Sequence, residues 1–460
     1  MPTAPAQRLR HIDALRGIAA LLVLWMHVAE RYVTLGGGHA IGGRWLFESA
    51  QAVDVGRIGV VAFFLISGFV IPYSIRPDRP AAIGTFLVKR LFRIYPAYWL
   101  SVPLGALTTY WIWGRPFGAV DFALNLTLLQ DLFGARPAEG LYWTLLVELV
   151  FYGLCVGLLL ARSLDRPRRL CVLAIVLGFV HSLAMLMRWL DAPVLDSSLA
   201  FWCLNLSFML CGALYRGCVV EGAARHDRVL RLGMYGLLAY YLIVFPVATA
   251  SAIGLERNAA ISYALGLLLF IGGVSGVRVA TRLGDFLGRI SYSLYLFHPV
   301  VFQALLWWLL RQPEGAWWRS QHLGAYLLVN AVLTIALAAL IHRWIEAPGI
   351  RLGQQCAARW ARWRARSSGM DAAQVHRRDE PAPSAALLVS HPWGRSDWLL
   401  SPGILGGMRR RVCSKPPVAQ VAVGRGVAGT SREISHACST EVGRRRPRAV
   451  MRGRTGDDGG

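Results

Sequence analysis

Charged residues are scarce in this chain, and lysine is almost absent. Asp, Glu, Lys and Arg make up 16% of the 460 residues, hydrophobic residues make up 55%, and the mean hydropathy is +0.44. Soluble globular proteins have about 25% charged residues, so the composition excludes a soluble protein and a chain that is disordered throughout. It indicates a polytopic membrane protein whose helices are apolar on all sides.

Cysteine frameworks, zinc motifs and nucleotide-binding loops are also missing. The eight cysteines show no CxxC or CxxH pattern, and no His, Cys and carboxylate set has metal-ligand spacing. Neither a Walker motif nor a GxSxG segment occurs. Basic residues outnumber acidic ones by 49 to 26, but in the body of the chain they lie between apolar runs. We therefore expect no metal, no permanently bound cofactor and no nucleic-acid partner.

About ten apolar stretches are long enough to cross a bilayer. Two of them carry charge, namely 12–30, which contains Asp13 and Arg16, and 140–161, which contains Glu148. The other eight have no charged residue over 18 or more positions: 58–75, 94–114, 170–187, 197–215, 232–255, 258–277, 290–310 and 320–342. The sequence therefore predicts an all-α transmembrane domain over residues 1–355 with about ten helices.

The distribution of Lys and Arg predicts the orientation of these helices. With a cytoplasmic N-terminus, the inner segments hold 18 basic residues and the outer segments eight, so both termini are predicted to be cytoplasmic. On the inner side, residues 83–93 alternate apolar and basic residues at helical spacing, which is typical of an interfacial helix. Apolar periodicity stops beyond 355, which predicts a disordered, Arg-rich tail over 356–460.

The first span contains two separated ionisable side chains. Arg16 and His27 are eleven residues apart, so they share a helix face at a distance of about 16 Å along the axis. Ionisable groups are costly in a bilayer, which makes each a functional candidate. We predict that this face presents a cation at the inner end and a titratable base at the outer end. A snorkelling Arg and an interfacial His are the structural alternative.

Glu148 lies in the outer half of the fourth predicted span. Thr144, Glu148 and Tyr152 are spaced by four residues, so they share a face and are close enough to form hydrogen bonds. A carboxylate in the membrane requires a partner. We predict a pair between Glu148 and His27 in which Glu148 orients the imidazole and His27 acts as general base. A purely structural pair between helices is the alternative.

Three further segments contain candidate residues. Ser67 lies in FFLISGF, where small residues favour close helix packing and a nucleophilic serine is the alternative. Lys89, Arg90 and Arg93 place three cations within five residues, which suits phosphate binding or serves only as a topology signal. His298 precedes a proline in the ninth span, which indicates either a polar lining or a helix kink with a hydrogen-bonded His.

Together these segments resemble the acyltransferase 3 family of integral membrane acyltransferases, from about residue 9 to residue 349. The matching segments, in order, are IDALRGIAALLVLWMH, FFLISGF, KRLFRIYPAYW, YWTLLVE, GRISYSLYLFHP and WIEAP. The chain departs from the family pattern at Lys89, where Arg is usual, and at Thr144, where Ser is common. The spacing from Trp143 to Glu148 is also one residue longer than in the simple family motif.

The resemblance implies transfer of an acyl group, often acetyl, from cytoplasmic acyl-CoA to a hydroxyl of a carbohydrate or similar acceptor. The acceptor is commonly handled at the outer face of the bacterial cytoplasmic membrane. His27 and Glu148 are then the catalytic candidates, and Arg16, Lys89, Arg90 and Arg93 are placed to meet the CoA phosphates. Ser67, Tyr152 and His298 are the other candidates for substrate contact.

Two choices stay open at this point. Direct transfer and an acyl-enzyme intermediate are both compatible with these residues. A proton-coupled transporter or a flippase is the rival function, because membrane-embedded His and Glu residues and a basic inner mouth also suit a carrier.

Overall fold

A computed structural model describes residues 10–34, 43–75, 77, 81–192, 197–247, 257–276 and 281–367. Helices and turns account for these residues, with no strand among them, which confirms the predicted all-α class. All of them belong to one compact unit. The α-helices of the described chain are α1 (Arg10–Thr34), α2 (Arg44–Ala52), α3 (Val55–Val70), α4 (Ala82–Thr109), α5 (Ala119–Thr127), α6 (Tyr142–Leu160), α7 (Pro167–Trp189), α8 (Ser197–Tyr215), α9 (Arg228–Ala239), α10 (Arg257–Ile271), α11 (Arg282–Leu310), α12 (Leu323–Ile341) and α13 (Ala347–Ser367).

Within the described residues, nine helical segments are long and apolar enough to cross a membrane. They coincide with all of the predicted spans except 94–114, which lies in α4. The interfacial helix predicted at 83–93 is not a separate element, because α4 runs for 28 residues through both segments. Pro96 and Pro103 lie inside α4 and do not end it.

The helices enclose α1 and α3. Helix α1 packs against α3 and α11, while α3 also packs against α8 and α10. Helices α1 and α11 run in the same direction, since Arg10 pairs with Asp285 near one end and His27 pairs with His298 further along. Polar residues on the shared faces of α1 and α11 therefore meet inside the bundle.

Glycine permits two of these close helix crossings. A Cβ atom on Gly288 of α11 would overlap the backbone oxygen of Asp13 in α1. A Cβ atom on Gly68 of α3 would overlap the backbone oxygen of Met209 in α8. The packing role predicted for the small residues of FFLISGF is therefore confirmed at Gly68.

The last described helix continues past the predicted start of the tail. Helix α12 leads through a π-helical turn, His342–Glu346, into α13, which ends at Ser367. The boundary predicted after residue 355 falls inside α13, so the helical part of the chain is longer than expected. Helix α13 packs against α4. Helix α4 carries Lys89, Arg90 and Arg93, which we call the basic segment. The rest of the predicted tail, 368–460, lies outside the described residues.

Candidate active site

A small cavity lies between α1, α3, α6 and α11. It has a volume of about 60 Å³. Arg16 from α1, Ser67 from α3 and Glu148 from α6 all line it, so three candidates from separate parts of the sequence meet here. The remaining lining residues are Val60, Phe63, Phe64, Thr144, Leu145, Ser291, Tyr292 and Tyr295.

Glu148 is held by the partner on its own helix that the sequence indicated. The hydroxyl of Tyr152 donates to Oε1 of Glu148 at 2.6 Å. The guanidinium of Arg90 lies 5.5 Å from the centre of the Tyr152 ring and donates to the hydroxyl of Ser74 at 2.7 Å. Arg90 therefore connects the basic segment of α4 to the Glu148 side of the cavity.

Arg93 lies beside a carboxylate that the sequence analysis noted only as part of the closing motif. A guanidinium nitrogen of Arg93 lies 3.6 Å from Oε1 of Glu346, whose side chain is fully buried. Glu346 Oε2 accepts a hydrogen bond from the Ser293 hydroxyl at 2.7 Å and lies 3.1 Å from Nδ1 of His342. The signal in the sequence was an acidic residue directly after an apolar span, since a buried carboxylate requires polar partners.

Four charged side chains form one group, which we call the charged cluster: Arg16, Arg93, Glu148 and Glu346. Glu346 is buried and the other three are partly buried. The other three members act electrostatically on Arg16, and Arg93, Glu148 and Glu346 act on the hydroxyl of Tyr292. The Tyr292 hydroxyl itself donates to the backbone oxygen of Ile94 at 2.8 Å. Asp13 also acts on Arg16, so cations and carboxylates alternate in this part of the bundle, and the opposite charges limit the cost of burying them.

His27 pairs with another histidine, so the predicted pair between His27 and Glu148 is not formed. Nδ1 of His27 lies 2.9 Å from Nε2 of His298, and the two rings are inclined by only 9°. We call these residues the His pair. His298 is fully buried, whereas His27 is partly exposed. The reason is helix packing, because α11 is the close neighbour of α1, while Glu148 on α6 faces the charged cluster.

Tyr295 connects the His pair to the cavity. Its backbone oxygen lies 2.7 Å from Nδ1 of His298. Its hydroxyl forms a hydrogen bond of 2.8 Å with the hydroxyl of Thr144, which lines the cavity. The His pair and the charged cluster are therefore separate polar groups joined through one residue of α11.

Lys89 is the candidate that lies furthest from this arrangement, since its side chain is exposed on α4 and outside the cavity lining. Arg16, Ser67 and Glu148 line the cavity, Tyr152 contacts Glu148, and His27 and His298 form the His pair. Arg90 and Arg93 lie outside the lining and contact Tyr152 and Glu346, respectively. Among the described residues, no group of three or more His, Cys, Asp or Glu side chains is arranged to hold a metal ion.

A larger cavity, of about 790 Å³, lies beside the basic segment. It is formed by the turns after α3 and α6 and by the segment that follows α8. Arg162, Arg166 and Arg216 line it, and the Arg216 guanidinium stacks on the Tyr73 ring at 4.0 Å. Ser74, next to Tyr73, is the residue that accepts the hydrogen bond from Arg90. Arg90 is therefore linked through Ser74 to the edge of the larger cavity and through Tyr152 to Glu148, which lines the small one.

Residues 9–343 match the family model of the acyltransferase 3 domain, described as an acyltransferase domain. The chain belongs to the acyltransferase 3 family. It is therefore a multi-pass membrane acyltransferase, and the resemblance noted in the sequence is confirmed.

Proteins similar to this acyltransferase include nodulation protein 10 of Rhizobium leguminosarum bv. viciae, with 27% identity over 76% of this chain and 95% of the relative. The exopolysaccharide production protein ExoZ of Rhizobium meliloti is 27% identical over 55% of this chain and 80% of its own length. The acyltransferase MdmB of Streptomyces mycarofaciens is 24% identical over 75% of this chain and 92% of its own length. No solved structure matches the chain.

Proposed function

We propose that this acyltransferase transfers an acetyl or similar acyl group from cytoplasmic acyl-CoA to a hydroxyl group of a carbohydrate at the outer face of the cytoplasmic membrane. The observation that carries the proposal is the arrangement along α1. Its Arg16 end meets the charged cluster and the basic segment, while its His27 end carries a partly exposed imidazole held by His298. A relative named for exopolysaccharide production supports the choice of a carbohydrate acceptor.

The larger cavity supports acyl-CoA as the donor. Its lining comes from three segments that the Lys and Arg distribution assigns to the cytoplasm. Its volume of about 790 Å³ is in the range of small-molecule sites, roughly 300–1,000 Å³. Arg162 and Arg166 of its lining suit the phosphates of the nucleotide part, while Arg216 is paired with Glu221 at 3.0 Å.

The proposed reaction follows from these positions. The thioester enters the bundle on the pantetheine arm, past Arg90 and the charged cluster, toward His27. His27 takes the proton of the acceptor hydroxyl, whose oxygen attacks the thioester carbonyl. The carbon–sulfur bond then breaks, an ester forms, and the CoA thiolate leaves and takes up the proton that His27 had accepted, which restores the neutral base. Glu148 holds Tyr152 and balances the arginines, and it does not contact His27.

The test uses the purified full-length chain in detergent with acetyl-CoA as donor and water as acceptor, with release of the CoA thiol as readout. We expect His27→Ala to lower turnover by about 10²–10⁴-fold while binding of acetyl-CoA persists. His226→Ala is the matched control, since this histidine is exposed in the turn before α9. Near-normal turnover in His27→Ala would overturn the proposed base.

A second experiment addresses the acceptor and the rival function. Mass spectrometry of surface polysaccharides from cells with and without the active chain should show acyl groups only in the former. A transporter or flippase would release no CoA thiol in the first experiment and would leave each polysaccharide unmodified. Cysteine labelling should place residues 115–139 outside and Arg162 inside, and the opposite result would reverse the direction of transfer.

A further inference from the structure

The inference concerns Pro299, which lies inside helix α11. Proline has no backbone N–H, so it cannot donate to the carbonyl of the residue four positions earlier. That residue is Tyr295. In place of the missing donor, Nδ1 of His298 lies 2.7 Å from the Tyr295 backbone oxygen. The proline therefore frees a carbonyl inside the membrane domain, and the adjacent histidine bonds to it.

This contact determines where the protons of the His pair lie. A carbonyl oxygen only accepts hydrogen bonds, so Nδ1 of His298 carries the proton. In neutral His298 the other ring nitrogen, Nε2, is then an acceptor. Because Nε2 of His298 lies 2.9 Å from Nδ1 of His27, Nδ1 of His27 is the donor. Neutral His27 consequently carries its free lone pair on Nε2.

We infer that Tyr295, His298 and Pro299 form a positioning device that fixes the tautomer of His27 with Nε2 as the proton acceptor. The inference rests on the proposed function, in which His27 is the general base. It assigns to His298 a positioning role rather than substrate contact.

The device also explains how a base operates here without a carboxylate beside it. When His27 takes a proton on Nε2, its Nδ1–H bond to His298 becomes charge-assisted and therefore stronger. A second proton on His298 would have to bind Nε2, which is the atom that accepts from His27, so His298 stays neutral while that hydrogen bond exists. The imidazolium is thus stabilised by a chain of two hydrogen bonds that ends on the backbone of α11.

Two substitutions at His298 each remove one of its two hydrogen bonds and keep the other. In His298→Gln the amide lies near the position of Nε2 and can still accept from His27, but the bond to Tyr295 is lost. In His298→Asn the shorter amide can still donate to Tyr295 but does not reach His27. We expect kcat to fall about tenfold for Gln and about hundredfold or more for Asn, with an unchanged KM for acetyl-CoA. Equal kcat losses, or a loss confined to KM, would overturn the inference.

A third variant acts on the backbone. Pro299→Ala supplies an N–H that competes with His298 for the Tyr295 carbonyl, so His298 is free to change tautomer. We expect kcat to fall by about threefold to tenfold without loss of the folded protein. A kcat equal to that of the unchanged protein would contradict the role of the proline.

Nitrogen-15 NMR of the histidine-labelled protein in detergent reads the tautomer without any turnover. The His27 signals, assigned by their loss in His27→Gln, should show a protonated Nδ1 and an unprotonated Nε2, and Pro299→Ala should broaden or shift them. A proton on Nε2 of His27 would overturn the inference. Retention of turnover in His27→Ala would instead overturn the proposed function and leave the tautomer result standing, so the two failures are distinguishable.

Discussion

The charged cluster and the His pair hold polar groups inside the same bundle in opposite ways. In the cluster, Arg16, Arg93, Glu148 and Glu346 are held by mutual charge, with Glu346 fully buried. The His pair is joined by a hydrogen bond of 2.9 Å between two rings that can both be neutral. Buried charges need opposite charges and hydrogen bonds close by, whereas a neutral pair needs only one donor for each acceptor.

This difference predicts that substitutions in the charged cluster change the stability of the folded protein, whereas substitutions in the His pair change turnover. Removing one member of the cluster leaves an opposite charge unpaired inside the protein, so the folded state is expected to suffer. Removing the base from the His pair leaves only a neutral acceptor without its donor, so turnover is expected to suffer while the protein still folds. Stability and turnover of variants in the two groups can be measured separately.

Glu346→Ala should cause the largest loss of folding stability. It removes the carboxylate that lies 3.6 Å from Arg93 and accepts from Ser293 at 2.7 Å. Breaking a buried pair costs about 3–5 kcal/mol, and the partial exposure of Arg93 reduces this to ~3 kcal/mol at most. The measurement is thermal unfolding in detergent, compared with His27→Ala. If His27→Ala destabilises the protein as much as Glu346→Ala, the distinction between the two groups is wrong.

The sequence predicted parts of these groups that depend on one helix. Spacing by four placed Tyr152 beside Glu148, and the structure confirms that contact. The partner of His27 depends on which helix packs against α1, and that is set by glycine at a distant crossing, Gly288. Local periodicity does not contain this information, so Glu148 was wrongly chosen as the partner.

The sequence also predicted that helices exist more reliably than where they end. The basic residues at helical spacing correctly indicated a helix at 83–93, but not that it continues into the span as α4. The π-helical turn at His342–Glu346 turns Glu346 into the interior, and no residue pattern in that segment specifies a π turn. The sequence therefore indicated Arg16, Arg93 and Glu148 as candidates, but it did not indicate Glu346 as one or predict that these side chains form a cluster.

Glu139 tests what a buried carboxylate does without an adjacent arginine. It lies just before α6, is buried, and accepts a hydrogen bond from the Thr109 hydroxyl at 3.1 Å. Burial raises the pKa of Glu139 from 4.5 to about 8. Between these pH values the folded protein keeps a proton that the unfolded chain has lost. The stabilisation that this proton provides is complete below pH 4.5 and is lost as the pH rises through 8.

Glu139→Gln should consequently stabilise the protein at pH 8. The amide is neutral at every pH and keeps an oxygen for Thr109. At about 1.4 kcal/mol per pKa unit, a pKa raised from 4.5 to about 8 corresponds to a gain of ~4 kcal/mol at pH 8, and the gain should vanish near pH 4. The measurement is the unfolding temperature across that pH range. A variant that is less stable at pH 8 would show that the Glu139 carboxylate is paired, as those of the charged cluster are.

Arg90→Ala should weaken donor binding and leave folding intact, because Arg90 lies at the edge of the cluster rather than in it. Its contacts are the Ser74 hydroxyl and the Tyr152 ring. One lost charge-assisted contact to a phosphate, ~1.5–3 kcal/mol, corresponds to a rise in the KM for acetyl-CoA of about tenfold to hundredfold. Lys89→Ala should give a smaller rise, since that side chain is exposed. Arg351→Ala is the control, since Arg351 is an exposed cation of α13. If its KM for acetyl-CoA rises as much as that of Arg90→Ala, the effect comes from the overall charge of the protein and not from a contact of Arg90.

The smallest effect is expected for a truncation after Ser367, and comparison with a truncation after residue 355 makes it informative. Helix α13 packs on α4, where a Cβ atom on Gly84 would overlap the Trp360 ring. Ending the chain at Ser367 keeps that contact, so turnover and the KM for acetyl-CoA should change less than about twofold. Ending it at 355 removes the residues that brace the helix carrying Arg90 and Arg93, so the donor KM should rise several-fold while His27 keeps its partner. Equal behaviour of the two truncations would show that residues 356–367 do not support the donor side.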